Sequence, residues 1–260
     1  MALNKSTGHM YPWVDLMHTH LGGRCPHECI YCYTQKNRFG VPKRYQGVPR
    51  LIEEELNINY YKYGKGKSIF IEHMNDLFAD GIDTEWIRQI LQHCNKYPDN
   101  QYVFQTKDPT MALSWFQDTD LFPDNFMIGT TIETNRDMSF ETTQDKWSRL
   151  SKAPEPEKRC DIKYFAVDKT KLQHADDGKF IRSSKTPKIF VTLEPLCDFD
   201  VDILVGWLKD IKPTFINIGA DSKKCGLPEP SAEKVVEFIA KLREAKISIR
   251  KKTNLERLLK

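Results

Sequence analysis

The stretch Cys25-Pro26-His27-Glu28-Cys29-Ile30-Tyr31-Cys32 decides how the rest of the chain is read. Its C-x3-C-x2-C spacing gathers three thiolates into one tight loop, close enough to share one metal centre and leaving one ligand position to something other than protein. Iron–sulfur cubanes are held by cysteine thiolates, ordinarily four. A local set of three implies an iron open to an outside ligand, as a catalytic cluster requires. A closed zinc site with His27, His18 or His20 as fourth ligand is the structural alternative. Such sites usually draw on two separated ligand pairs, and the second pair is missing here. A redox pair of Cys29 and Cys32 would leave Cys25 unexplained.

Working outward, the 260 residues suffice for one large core, and single α/β barrels reach this size. Seven cysteines, 40% hydrophobic and 29% charged residues describe an ordinary globular protein without a secreted disulfide framework, so a reducing cytoplasm is the expected setting. No apolar run reaches membrane-spanning length, and the first residues lack a signal-peptide core. The net charge of +3 alone does not imply nucleic-acid binding. Its distribution is more informative: Lys36, Arg38, Lys43, Arg44 and Arg50 follow the cysteine loop with Tyr33, Phe39 and Tyr45 interleaved and no acid among them. Such a segment can grip phosphates and stack on bases, or serve merely as a solvated loop.

Apolar strands are expected at Val14–His20, Ser68–Met74, Tyr102–Lys107, Phe126–Glu133, Lys188–Glu194, Phe215–Ala220 and Ile247–Arg250. Helical spacing over Thr84–Cys94 and Ala232–Ala245, the latter with Ser231 as N-cap, alternates with them. Thr253 and Glu256 have capping-box spacing for a last short helix. Strand–helix alternation with right-handed crossovers predicts an α/β fold, a parallel sheet either open or curled into a partial (β/α) TIM-like barrel. One domain is expected over 1–260. Residues 135–187, charged and proline-containing, are expected as an insertion with a helix near Glu155–Val167 and a lid-like loop.

In parallel barrels chemistry sits at the C-terminal ends of the strands. The cysteine loop falls there, and so do His73, Asn75, Asp76, Lys107, Glu133, Asn135, Glu194 and Asp221. Asn135 and Asp221 also suit helix caps or surface positions. Glu194, beside Pro195, is the candidate catalytic or substrate-contacting residue, with a buried pairing to Lys107 or Arg250 as its structural alternative. Cys94 and Cys160 are expected in the core, whereas Cys197 and Cys225 follow strands and could approach the rim.

The run CPHECIYCY, with aromatic Tyr31 before the last cysteine, resembles the signature of the radical S-adenosylmethionine (SAM) superfamily. IFIEHMNDLF, FQTKDP, IGTTIE and VTLEPL, in this order between Trp13 and Lys252, make the chain similar to a phage-associated radical SAM family distantly related to spore photoproduct lyase. The resemblance implies that Cys25, Cys29 and Cys32 ligate three irons of a [4Fe-4S] cluster and that the amino and carboxylate groups of SAM chelate the fourth. It places Tyr31 against the adenine. Many relatives carry Gly-Gly-Glu where this chain has His73-Met74-Asn75-Asp76, so the amine ligand falls to Asn75 or Asp76. By position, Lys107 would pair with the SAM carboxylate and Glu133 would accept from the ribose. A flavodoxin- or ferredoxin-type electron donor, a three-Cys-motif partner protein, and a nucleotide or nucleic-acid substrate are the implied partners. Competing expectations are a non-catalytic zinc- or iron–sulfur-binding module that recognises nucleic acid, and radical chemistry on a peptide or small metabolite.

Overall fold

The structure is a computed structural model that describes residues 3–6, 10–35, 39–118, 120–137, 139–141, 147–149, 151–166 and 186–260. Its main sheet has the order β1 (Asn4–Lys5), β2 (Leu16–His18), β5 (Ser68–Ile71), β6 (Gln101–Thr106), β7 (Phe126–Thr131), β10 (Lys188–Leu193), β11 (Phe215–Ile218) and β12 (Ile249–Lys251). The edge pair β1–β2 is antiparallel and every other pairing is parallel. β3 (Leu21–Gly22) with β4 (Arg50–Leu51), and β8 (Ser139–Glu141) with β9 (Trp147–Arg149), form small antiparallel pairs. The helices are α1 (Thr84–Asn95), α2 (Pro109–Asp118), α3 (Pro156–Arg159), α4 (Val201–Ile211) and α5 (Ala232–Glu244). This is the expected α/β partial barrel. No described helix is long and apolar enough to cross a membrane.

Alternation along each strand sorts the core into two sets. Leu16, Ile69, Ile71, Phe104, Ile128, Val191 and Ile216 face outward against the helices. Met17, Phe70, Val103, Met127, Phe190 and Phe215 face inward, where Tyr11 and Val14 join them. Tyr11 stacks on Trp13 at 5.1 Å, and Trp13 meets Phe190 edge-on at 5.5 Å. This aromatic plug closes the N-terminal end of the barrel and leaves its C-terminal end open. Gly129 makes the plug possible, because a Cβ there would lie 2.3 Å from the Phe190 ring.

All seven parallel-sheet strands expected from composition are present. The short edge β1 and the β3–β4 pair carry too few residues for a periodic signal. α1 is capped by Asp83, whose side chain accepts from the Glu85 N–H, and α5 by Ser231, which accepts from the Lys234 N–H. The expected cap at Thr253 is not formed: Lys252 precedes a 3-10 helix over Thr253–Leu259 and no side chain caps it. The helix expected near Glu155–Val167 is the short α3 followed by a 3-10 segment, Cys160–Ala166. Cys160, Ile162 and Phe165 of that segment are buried in the outer core, so this part of the insertion belongs to the packed body. Positions 167–185 of the expected insertion, with its lid-like loop, lie outside the described residues, as do the basic residues Lys36 and Arg38 that follow the cysteine loop.

Gly23 turns the chain from β3 into the cysteine loop with φ +83°, and a Cβ on it would sit 2.0 Å from the Val48 carbonyl oxygen. Gly23→Ala therefore meets both a left-handed backbone and a backbone atom that cannot move aside. A loss on the order of 1–3 kcal/mol or more is expected, measured by urea unfolding of the two proteins.

Candidate active site

The cysteine loop is built from successive turns. The carbonyls of Cys25, Cys29 and Cys32 accept from the N–H groups of Glu28, Cys32 and Gln35 at 3.2, 3.0 and 3.0 Å. Glu28, at φ +46°, links the first turn to the second. The loop is pinned from the insertion: the Lys152 N–H donates to the His27 carbonyl at 2.7 Å and its ammonium to Glu28 at 2.9 Å. This curl brings all three cysteines to the wall of a cavity of about 480 Å³ at the open end of the barrel. Burial raises the thiol pKa of Cys25, with the Asp76 charge adding to it, and burial likewise raises that of Cys29. Burial thus disfavours the thiolate form of both sulfurs.

Polar layers rise from the aromatic plug. The Tyr11 hydroxyl contacts Gln105 and Thr192, each at 2.7 Å, and Gln105 donates to Thr131 at 2.8 Å. Above them, the Lys107 ammonium lies 3.0 Å from Glu133, and the Lys252 ammonium 2.5 Å from Glu194. The Glu194 partner is thus Lys252, together with Asn254 at 2.9 Å, and not Lys107 or Arg250. Arg250 instead lies over the Phe215 ring at 3.5 Å.

The expected residues divide by geometry. Tyr31, His73, Asn75, Asp76, Lys107 and Glu194 line the cavity with the cysteines. Glu133 does not: its fully buried carboxylate already accepts from Tyr31, from Lys107 and, at 2.6 Å, from Arg159. Burial by itself would raise this carboxyl, yet the Arg159 and Lys107 cations and the Tyr31 hydroxyl hold it down at about 2. The geometry thus uses the Glu133 oxygens to position Tyr31 and Lys107. His73 shares a proton with the Thr19 hydroxyl at 2.8 Å, and burial lowers its pKa to about 4.

Asp76 and Asn75 separate cleanly. The Asp76 carboxylate receives His27 Nε2 at 2.8 Å, the Lys107 N–H at 2.7 Å and the Phe78 N–H at 3.0 Å. These contacts overcome the upward push of burial and lower its pKa. Asn75 donates through Nδ2 to the Gly23 carbonyl at 3.3 Å, which fixes the amide, and its buried Oδ1 has no partner among the described residues. An unsatisfied buried acceptor in a cavity wall marks a position for a ligand donor.

Of the other strand-end residues, Asn135 accepts from the Asp200 N–H at the start of α4, as a cap. Asp221 is buried and caps its own loop by accepting from the Lys223 and Cys225 N–H groups. Cys94 and Cys160 are buried as expected, while Cys197 and Cys225 pack beside Ile30 and Tyr31. Arg159 is the main residue that sequence reasoning missed: inside the polar run KAPEPEKRC nothing distinguishes it from a solvated cation. Arg44 is likewise no free member of the basic segment, because it pairs with buried Glu55 at 2.7 Å. His27 Nε2 is engaged by Asp76, while His18 and His20 belong to a separate buried network and do not line the cavity.

Comparison with solved structures places this architecture. SuiB from Streptococcus suis bound to S-adenosylmethionine superposes with a TM-score of 0.53 at 11% identity, over 91% of this chain and 50% of that one. A spore photoproduct lyase variant gives 0.51 at 12% identity, over 83% of this chain and 58% of that one. Another spore photoproduct lyase structure, with bound AdoMet and dinucleoside spore photoproduct, gives 0.51 at 12%, over 94% and 65%. The chain thus spans between half and two-thirds of the length of these radical SAM enzymes, and what is shared is the fold. No curated protein sequence matches it. A family model does match, over residues 19–152, from the Thr19 strand end through the cysteine loop to Lys152. The chain belongs to the family described as protein of unknown function (DUF5131), and it carries the partial-barrel fold of radical SAM enzymes.

Proposed function

We propose that this protein is a radical SAM enzyme whose Cys25, Cys29 and Cys32 hold a [4Fe-4S] cluster at the mouth of the barrel. The observation that carries the reading is the placement of three cysteines, an unpartnered Asn75 Oδ1 and cationic Lys107 around one cavity at the C-terminal ends of the strands. The residues fit the cofactors: three thiols from a self-curled loop suit three irons, and the remaining polar wall suits an α-amino acid moiety. When bound, the cluster and SAM supply a 5′-deoxyadenosyl radical that abstracts hydrogen. The chain's own residues bind and orient. Asn75 Oδ1 would accept from the SAM ammonium, and Lys107 would face the SAM carboxylate. Tyr31, held by Glu133, would support the adenine. His73 and Asp76 shape the wall around them, Asp76 by bracing His27 and the Lys107 backbone. Glu194, held by Lys252 and Asn254, faces the substrate, and the aromatic plug excludes water from below.

A nucleotide or nucleic acid is the substrate class that joins this cavity to the basic, aromatic segment following the cysteine loop, where Lys43, Arg50 and Phe39 are exposed. The resemblance adds a flavodoxin- or ferredoxin-type reductant and a three-Cys-motif partner to this proposal. The deciding experiment is anaerobic reconstitution with iron, sulfide, a strong reductant and SAM. Cysteine-dependent formation of 5′-deoxyadenosine and methionine is expected, and its absence with a reducible cluster in place sinks the reading. Adding oligonucleotides is expected to raise turnover in a salt-sensitive way. Stimulation by peptides alone would reassign the substrate.

Asn75 and Asp76 give a further contrast. Asn75→Ala is expected to weaken SAM binding to the reconstituted protein by roughly 5- to 100-fold, the worth of one buried polar contact to a charged group. Asp76→Ala is expected to lower the melting temperature first, since four groups lose their acceptor. Equilibrium binding and thermal unfolding of both variants check this.

A further inference from the structure

Behind the cysteine loop, four buried side chains from separate elements converge on one point: His18 on β2, His20 before β3, Tyr60 in the 3-10 helix Tyr60–Tyr63 and His93 on α1. All are at most 3% exposed. The histidine ligand atoms lie within 4.8 Å of one another. His20 Nε2 is 2.9 Å from His93 Nδ1, and the Tyr60 hydroxyl is 2.8 Å from His18 Nδ1 and 3.4 Å from each of the other two. A tetrahedral zinc site with bonds near 2.0–2.1 Å has ligand–ligand edges of roughly 3.3 Å. Four of the six edges, 2.8 to 3.4 Å, are at that scale, and the other two are within 4.8 Å.

The outer contacts orient each ring. His93 Nε2 faces the Ile58 carbonyl at 2.8 Å, an acceptor only, so it carries hydrogen and Nδ1 presents a lone pair. His18 Nε2 lies 2.9 Å from Glu55, a carboxylate also paired with Arg44, so His18 Nδ1 presents a lone pair too. His20 Nδ1 lies 2.7 Å from Glu72, which also accepts from the His20 and Leu21 N–H groups; burial raises this carboxyl to about 7, and with Glu72 ionised the His20 Nε2 lone pair is turned inward. With Glu72 ionised, three imidazole lone pairs meet around a single phenol. In that state the Tyr60 proton can serve one of them, and His20 Nε2 and His93 Nδ1 face each other at 2.9 Å, a contact that a shared cation relieves. Each outer nitrogen, meanwhile, sits on a carboxylate or a carbonyl, the arrangement that orients metal-bound histidines.

We propose that His18, His20, His93 and the Tyr60 oxygen form a closed, structural site for a divalent metal of the zinc class, separate from the cysteine site. Neutral imidazoles suit a borderline dication, and the nearby Glu55 and Glu72 carboxylates offset its charge. Bound there, the ion ties the strand end from which the cysteine loop springs to α1 and to the 3-10 helix. The site stands whether or not the cysteines hold a cluster.

The test uses the full chain with Cys25, Cys29 and Cys32 replaced by alanine, so that cluster iron does not confuse the count. After exposure to zinc and desalting, metal analysis is expected to find about one zinc per chain, lost when His93→Gln or His20→Gln is added. At a thousandfold excess over its Kd, zinc is expected to raise the melting temperature by about 10 °C. Cobalt in its place is expected to give the intense visible bands of a tetrahedral site, shifted in Tyr60→Phe. A folded triple-cysteine variant that retains no zinc overturns the proposal, as does zinc that persists in folded His93→Gln. Should the histidine variants fail to fold, a cobalt spectrum unchanged by Tyr60→Phe overturns it.

Discussion

Cys29→Ala is expected to leave a folded protein that has lost its cluster iron and at least ~1000-fold of its 5′-deoxyadenosine formation, about 4 kcal/mol of barrier. The loop's shape comes from backbone turns: Cys32 N–H to Cys29 carbonyl, Glu28 N–H to Cys25 carbonyl, and the Lys152 N–H on His27. None of these uses a sulfur, so removing one thiol keeps the loop in place. The stability cost is expected near 1 kcal/mol, a shift of a few degrees in melting temperature. Activity would differ because, on the proposed assignment, two thiols would no longer suffice to hold the cluster. Iron analysis and product formation under anaerobic conditions check both halves. Product formation within tenfold of the parent in Cys29→Ala would refute the assignment. Cys225→Ala, changing a residue that packs beside Ile30 and Tyr31 outside the motif, is expected to keep its iron.

Arg159→Met is expected to destabilise the cluster-free protein by about 3–5 kcal/mol, the cost of leaving a buried carboxylate with part of its compensation removed. Arg159 and Glu133 are both fully buried, and the guanidinium also donates to the Thr131 and Pro154 carbonyls at 2.8 Å each. Acidity supplies the second signature. In the parent, Glu133 is held at about 2, so its stabilising charge is fully present above the ordinary carboxylate range and is lost as pH falls from about 4.5 toward 2. With Arg159 gone, burial dominates and the carboxyl is pushed up, so acidification from neutral pH relieves the variant while leaving the parent unchanged. The gap between parent and variant is therefore expected to narrow between pH 7 and pH 5, read by denaturant unfolding at both values. A gap that widens on acidification would show that Glu133 is not the group Arg159 compensates. Tyr31 and Lys107, which Glu133 also holds, are expected to lose their orientation with it.

Much of the scaffold was legible in the chain because its physics is local or periodic. Runs such as Ile69–Ile71 and Ile189–Val191 are continuous and β-branched because parallel strands are covered on both faces. Asp83 and Ser231 announce their helices by satisfying nearby N–H groups. β1, with two residues, and the 3-10 segments have no period to detect. The Thr253–Glu256 spacing misled because a cap needs helical geometry behind it, and a 3-10 turn follows instead.

The same division runs through the site. The sequence by itself determined the cysteine triad, since three cysteines within eight residues are brought together by short turns whatever the rest of the chain does. It also placed Lys107, Asn75, Asp76 and Glu194 at strand ends on one rim. Tertiary structure alone decided which of these remain available. It spent Asp76 on His27 and two backbone N–H groups, left Asn75 Oδ1 without a partner among the described residues, and turned Arg159 inward to Glu133. It also gathered His18, His20, Tyr60 and His93 from across 76 residues of chain. Hydrogen-bond satisfaction and charge compensation depend on which groups meet after folding, and no spacing along the chain encodes that.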